Sequence, residues 1–380
     1  MILLRTLATL SKASVKKSKP LLTDILPRKK VISKLLFDFN ARYNYHHYLP
    51  VVMDIYDKME SDKEPVTNKL KGSDLIIFQR VLKEIRIQTH SSNKYLKELE
   101  DSLIEEAATL GNRDALTIIC FKSLDDTTGE YTKDDKEQAK IFINKLSKLK
   151  HPLVFKMAGD HYYRKSDIKK AVKLYGKFLK LDNNSFLASE VYKTLGMLSF
   201  QEQKLMQAKV FMEKAINLAP SNKVSQAHFI LGLINEIDPL KARYHFEMAA
   251  SEGFLESFVN LGFLELNYFR NIYKSKLWFK LGAELGDYNC MIGLFDCYMK
   301  EENWKNAKIT YDKTVHYLRD IKSGINLDHL RSSSVEKLNR MLGELEHSAS
   351  NISSIKKQDS EKPIVEKEIT GAMAKSKWDI

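Results

Sequence analysis

An aliphatic residue followed by glycine returns through the middle of this chain at a spacing that a pair of helices fills. It occurs as Ala158-Gly159, Leu195-Gly196, Leu231-Gly232, Leu261-Gly262 and Ile292-Gly293, with successive glycines 37, 36, 30 and 31 residues apart. In the second copy Ala208 follows the glycine by twelve residues, Ala215 by nineteen and Pro220 by twenty-four. Small residues at those offsets let two antiparallel helices touch, and the proline turns the chain into the next pair. Such a chain stacks hairpins along one axis and offers a surface that holds another polypeptide rather than an enclosed catalytic cavity.

This is the tetratricopeptide (TPR) pattern. A related signature accompanies it. Ala107-Ala108-Thr-Leu-Gly111, Met248-Ala249-Ala250-Ser-Glu-Gly253 and Leu281-Gly282-Ala283-Glu-Leu-Gly286 resemble the turn of a Sel1-type repeat, and Trp278 stands eight residues before Gly286, where such repeats place an aromatic. The expected fold is all-α: a right-handed α-solenoid of TPR/Sel1-like helical hairpins, with an N-terminal helical extension and a C-terminal capping helix. Helical pairs are expected at about 96–150, 151–184, 185–223, 224–253, 254–286 and 287–320, within a repeat array spanning 94–320. Residues 321–347 then form the cap, with one helix over 326–347 whose Val335, Leu338, Leu342, Leu345 stripe needs cover. From 348 to 380 six basic and five acidic residues stand among serines, which reads as a disordered tail.

Charge is informative because it is uneven. The chain carries a net +12, and residues 1–50 hold ten Lys or Arg against two acids. No acid precedes Asp24. On a helical wheel Arg5, Lys12 and Lys16 share one side and Leu3, Leu7 and Leu10 the other, the pattern of a mitochondrial presequence over residues 1–20. Residues 21–93 then read as a basic-aromatic helical extension. Its block from Arg28 to Leu49, ended by Pro50, has an apolar stripe of Ile32, Leu35, Leu36 and Phe39. Arg28, Lys29, Lys30 and Lys34 suit an anionic membrane surface, or the block docks on the solenoid. No apolar run approaches the roughly 18 residues of a membrane span.

Motifs of catalysis are not found: no Gly-rich phosphate loop, HExxH, Cys-x-x-Cys or nucleophile elbow. No catalytic, cofactor-binding or metal-binding residue is therefore assigned, and the chain is read as a non-enzyme without cofactors. Cys290 and Cys297 fall seven residues apart, about 10 Å along a helix, too far for a disulfide. With Cys120 they read as buried free thiols. Two binding classes remain. A helical-repeat RNA reader or translational activator would carry its excess charge along the array, whereas the 330 residues after 50 share only +4. Protein binding is the preferred reading.

In TPR arrays the first helix of each pair lines the concave face. Counting the signature glycine as position eight, positions five, nine, twelve and thirteen face the groove. The first clear repeat places Lys156, Asp160, Tyr163 and Arg164 there, and the second Lys193, Met197, Phe200 and Gln201. Later repeats supply Phe229 and Leu233, then Val259, Phe263 and Leu266, then Cys290, Leu294 and Cys297. The expected groove runs from basic-aromatic to apolar, which fits an extended or amphipathic segment. Its occupant is either a client or the chain's own 326–347 helix.

Several blocks go beyond generic repeats: Pro27-Arg-Lys-Lys-Val31, Tyr45-His-His-Tyr-Leu-Pro50, Ala108-Thr-Leu-Gly-Asn112, Leu261-Gly-Phe-Leu-Glu-Leu-Asn-Tyr-Phe269 and Phe295-Asp-Cys-Tyr-Met-Lys-Glu-Glu-Asn303. From about Pro27 to His316 the chain resembles a fungal family of mitochondrial inner-membrane TPR factors required to export the C-terminal domain of cytochrome c oxidase subunit II. The resemblance implies a protein peripheral to the matrix face of the inner membrane. Its implied partners are cytochrome c oxidase subunit II, the insertion and export machinery and the anionic membrane surface. The resemblance assigns no functional residue.

Overall fold

A computed structural model describes residues 19–59, 70–127 and 129–360. The expected presequence therefore lies outside the described residues, apart from its last two. All regular structure among the described residues is helical. The chain forms two compact units, residues 1–199 and 200–380.

The first unit opens with α1 (Leu22–Ile25), α2 (Lys29–Asp38), α3 (Tyr45–Lys58), α4 (Gly72–Gln88) and α5 (Lys94–Thr109). They surround one core that runs from Leu22 through Tyr48, Phe78 and Leu99 to Ala115. Tyr48 stacks on Phe78 with ring centroids 5.3 Å apart. Pro50 does not end the basic-aromatic block: α3 starts at Tyr45, where the Asn44 side chain accepts the His46 N–H at 3.2 Å, and continues through the proline. Pro50 is only the sixth helical residue, so the helix forgoes a single backbone bond there. The Tyr56 hydroxyl donates to the Pro20 carbonyl at 2.9 Å, so the described chain is fastened to α3 from its start.

The expected first pair at 96–150 resolves differently. Helix α5 packs back on α4, while α6 (Arg113–Leu124) pairs with α7 (Lys133–Lys148). The 125–132 connection ends in a capping box between Thr132 and Asp135, which satisfies first-turn N–H groups at both partners. Then come α8 (Pro152–Arg164) and α9 (Ile168–Leu181) as a hairpin, and α10 (Phe186–Gln201).

The second unit contains α11 (Leu205–Leu218), α12 (Ser221–Ile234), α13 (Pro239–Ser251), α14 (Leu255–Asn267), α15 (Ile272–Glu284), α16 (Tyr288–Lys300) and α17 (Trp304–Asp320). Hairpins α12/α13, α14/α15 and α16/α17 stack in order, and the first helices α14 and α16 also touch directly. The Sel1-like turns form as read. Gly111, Gly253 and Gly286 have φ of +75°, +77° and +88°, the left-handed region that glycine enters freely. Second helices start on side-chain caps: Asp167, Asp238, Asn271 and Asn303 each accept the N–H three residues on.

After the array come α18 (Leu327–Leu330) and α19 (Ser332–Ser360). The expected single helix over 326–347 is thus split at Arg331. The tail expected to be disordered from 348 is helical as far as Ser360; no proline or glycine interrupts the chain between Gly343 and that point. Residues 361–380 lie outside the described residues.

Candidate protein-binding groove

The first-helix face of the first unit is charged, but its charges are spent on one another. Lys156 Nζ lies 2.8 Å from Asp160 and 2.9 Å from Glu190 of α10. Burial opposes the Lys156 charge, yet Asp160 and Glu190 outweigh it and hold the ammonium above the ordinary lysine range. Tyr175 of α9 donates its hydroxyl to Asp160 at 2.8 Å. Arg164 and His161 both pair with Asp125. Lys156 and Arg164 are therefore already satisfied inside the unit, rather than waiting for an acidic client. Tyr163, Lys193 and Phe200 are half-buried.

In the second unit the predicted apolar groove residues are knit into the core. Phe229 packs on Phe246 and Phe254, with centroids 5.8 and 4.9 Å away. Phe263 meets Phe279 edge-on at 5.0 Å. Leu233 and Leu294 are partly buried against the same cluster, and Leu266 is only 4% exposed. Leu266 is thus mainly a core residue of the cluster holding Phe279 and Cys297, and only a small part of it reaches the cavity beside it. Cys120, Cys290 and Cys297 are buried and free, and burial pushes each thiol up.

Space remains beside them. A cavity of about 380 Å³ is walled by Phe263, Leu266 and Asn267 of α14, by Asp296, Met299 and Lys300 of α16, and by Ser334 and Lys337 of α19. Helix α19 borders this space rather than filling it. Its stripe is spent elsewhere: Val335 and Leu338 are buried with Phe295, Met299 and Ala307. Arg331 anchors its start, placing Nε 3.0 Å and Nη2 3.0 Å from the Asp296 carboxylate. A second cavity of about 360 Å³, not foreseen in the sequence, lies among α13, α14 and α15, with Phe258, Trp278, Leu281 and Leu285 in its wall and Glu247 and Glu284 at its edge. The only sequence signal for it was Trp278.

Arg28, Lys29, Lys30 and Lys34 are all exposed; Arg28 is the N-cap of α2, and Lys30 and Lys34 lie on the side opposite the buried Ile32, Leu35 and Leu36. Lys29 Nζ reaches His46 Nε2 at 2.7 Å. Phe37, which sequence reasoning passed over, projects from this side at 82% exposure. Phe39 caps the helix and packs on the core instead.

A family model described as the MSS2 N-terminal domain matches residues 18–112, nearly the span of the core that begins at Leu22. Protein MSS2, mitochondrial, of Saccharomyces cerevisiae is 36% identical over 294 residues, covering 75% of this chain and 84% of that protein. The chain belongs to the MSS2 family. Among solved structures it is similar to a Sel1 repeat protein from Oxalobacter formigenes, at 19% identity and TM-score 0.39 over 56% of this chain and 94% of that one. It is also similar to pilF of Pseudomonas aeruginosa, at 17% identity and TM-score 0.43 over 56% of this chain and 93% of that one.

The block Leu261–Phe269 is held by packing. Gly262 admits Phe279, and the buried Glu265 lies 2.8 Å from Arg243 Nη2, a charge contact off the hydrogen-bond direction. Arg243 in turn sits over the Phe269 ring at 5.0 Å. In this MSS2-family chain the block therefore ties α13 to α14. Among the described residues no helix is long and apolar enough to cross a membrane.

Proposed function

We propose that this chain is a non-catalytic helical-repeat factor of cytochrome c oxidase biogenesis. In this reading it rests peripherally on the matrix face of the mitochondrial inner membrane, binds newly made cytochrome c oxidase subunit II and assists export of that subunit's C-terminal domain with the insertion machinery. The observation that carries the reading is the 36% identity to a mitochondrial protein across 84% of that protein's length. The cavity beside Phe263 and Met299 supports it: an apolar strip of Phe263, Leu266 and Met299 among Asn267, Asp296, Lys300, Glu302 and Lys337 suits an amphipathic segment. The exposed Arg28–Lys34 cluster supports contact with anionic lipid. Residues 1 to about 20 serve as the import signal, a role that N-terminal sequencing of the mitochondrial protein tests.

Photocrosslinking decides the client. A photoreactive residue placed at Asn267, on the cavity wall and exposed, is introduced into isolated mitochondria during organellar protein synthesis. An adduct with newly made subunit II is the expected product. A dominant RNA adduct overturns the client reading in favour of a translational activator.

A further inference from the structure

The second helices of the 200–380 unit repeat something that hairpin packing does not require. The second residue of α11, α13 and α15 is Met206, Leu240 and Tyr273, each exposed by 68% or more. The sixth residue of α11, α13, α15 and α17 is Val210, Tyr244, Leu277 and Ile309, all exposed as well. The fourth residue of each, Ala208, Ala242, Ser275 and Ala307, is the one that packing buries. In α9 the second and sixth positions are the exposed Lys169 and Lys173, so the fold accepts charge at these places.

The turns feeding these helices continue the pattern. Ile237 is 98% exposed and Tyr268 is exposed beside it in the next turn. Segments 201–210, 235–244, 268–277 and 301–310 together hold nine Lys or Arg against five Asp or Glu. Lys274 and Lys305 stand exposed next to the apolar rows. Protruding aliphatic side chains, three tyrosines and an excess of bases compose a membrane-interface surface: tyrosine rings favour the headgroup boundary, and lysine stems cross apolar surface to reach phosphates.

We propose that this edge, made of the turns before α11, α13, α15 and α17 and the first two turns of those helices, rests in the headgroup layer of an anionic bilayer. The proposal rests on the peripheral-membrane reading above and adds a second contact surface to the α2 cluster. Lys204, Lys241, Arg243, Lys276 and Lys308 lie in ion pairs, but lipid is favoured over a protein partner because the apolar side chains project outward beside the exposed Arg270, Lys274 and Lys305, whereas protein anchors fill pockets.

Flotation of the chain with phosphatidylcholine vesicles, with and without cardiolipin, tests this. Wild-type protein should float with cardiolipin vesicles. The Leu240→Glu/Leu277→Glu double variant should partition at least roughly tenfold less, and Leu240→Phe/Leu277→Phe should keep binding. Unchanged melting of both variants shows that they fold. A Glu variant that floats like wild type overturns the edge assignment and leaves the peripheral reading standing, with Lys30→Glu/Lys34→Glu then expected to abolish flotation. Failure of wild type to float with either vesicle overturns the peripheral reading itself. A Tyr273 photocrosslink to a membrane protein, with flotation of the Glu variant intact, assigns the edge to a protein and overturns the lipid proposal.

Discussion

The ring of Phe279 lies directly on the bare backbone of Gly262. A Cβ at Gly262 would meet three ring atoms, and the same ring also covers Gly293 of the following hairpin. Equivalent contacts join Gly159 to Tyr175 and Gly232 to Phe246, where a Cβ would come within 2.5 Å of the ring. The signature glycines Gly159, Gly232 and Gly262 are thus each the seat for one aromatic side chain of their own hairpin's second helix.

Gly262→Ala should overpack this contact and cost about 1–3 kcal/mol, read as a lower denaturant midpoint at unchanged slope. Gly176→Ala is the control. It sits in α9 with nothing within 4 Å of a Cβ, and should stabilise by roughly 0.5–1 kcal/mol through helix propensity. Equal effects at the two sites would refute the seating role.

Lys156 should matter for stability and not for client charge. Lys156→Met leaves Asp160 and Glu190 facing each other without a cation and is expected to cost about 1–3 kcal/mol, the outer part of Glu190 being screened by water. Adding Glu190→Gln should recover part of the loss in a double-mutant cycle. Client crosslinking at 25 °C should be unaffected by either change.

Acid should loosen the second unit through one histidine pair. His228 and His245 lie Nδ1 to Nδ1 at 3.1 Å. Burial lowers the pKa of both, and for His245 the charge of His228 adds to it, bringing it to about 4. The unfolded chain then takes protons near the ordinary value of 6.5 that the folded chain refuses. Stability should therefore be full above about 6.5 and decline as pH falls toward about 4. His245→Gln should flatten that slope in melting curves recorded across this window.

Leu338 tests the placement of α19. It is wholly buried with Phe295 and Ala307, so Leu338→Ala should cost about 2–5 kcal/mol. Phe263→Lys, on the cavity wall and in edge contact with Phe279, should lower stability less than Leu338→Ala and abolish client crosslinking at Asn267. If Phe263→Lys destabilises as much as Leu338→Ala while clients are still captured, the cavity is not the client site.

The sequence by itself determined the hairpin architecture, because its cause is local and periodic. The recurring glycines, Ala208 and Ala215 after Gly196 and the turn at Gly253 specify close helix contacts wherever the chain lies. It also determined the exposed basic side of α2, since Ile32, Leu35 and Leu36 leave the opposite side for Lys30 and Lys34. The tertiary structure alone decided which groove positions stay open. Position counting treats Lys156 and Leu266 as surface, but a lysine between two carboxylates from different helices and a leucine buried in the cluster that holds Phe279 are set by packing between elements distant in sequence. The same holds for the outer rows at Leu240 and Leu277. Each is an ordinary apolar residue within its own helix, and the row becomes visible only when stacked hairpins bring equivalent positions side by side and leave them exposed.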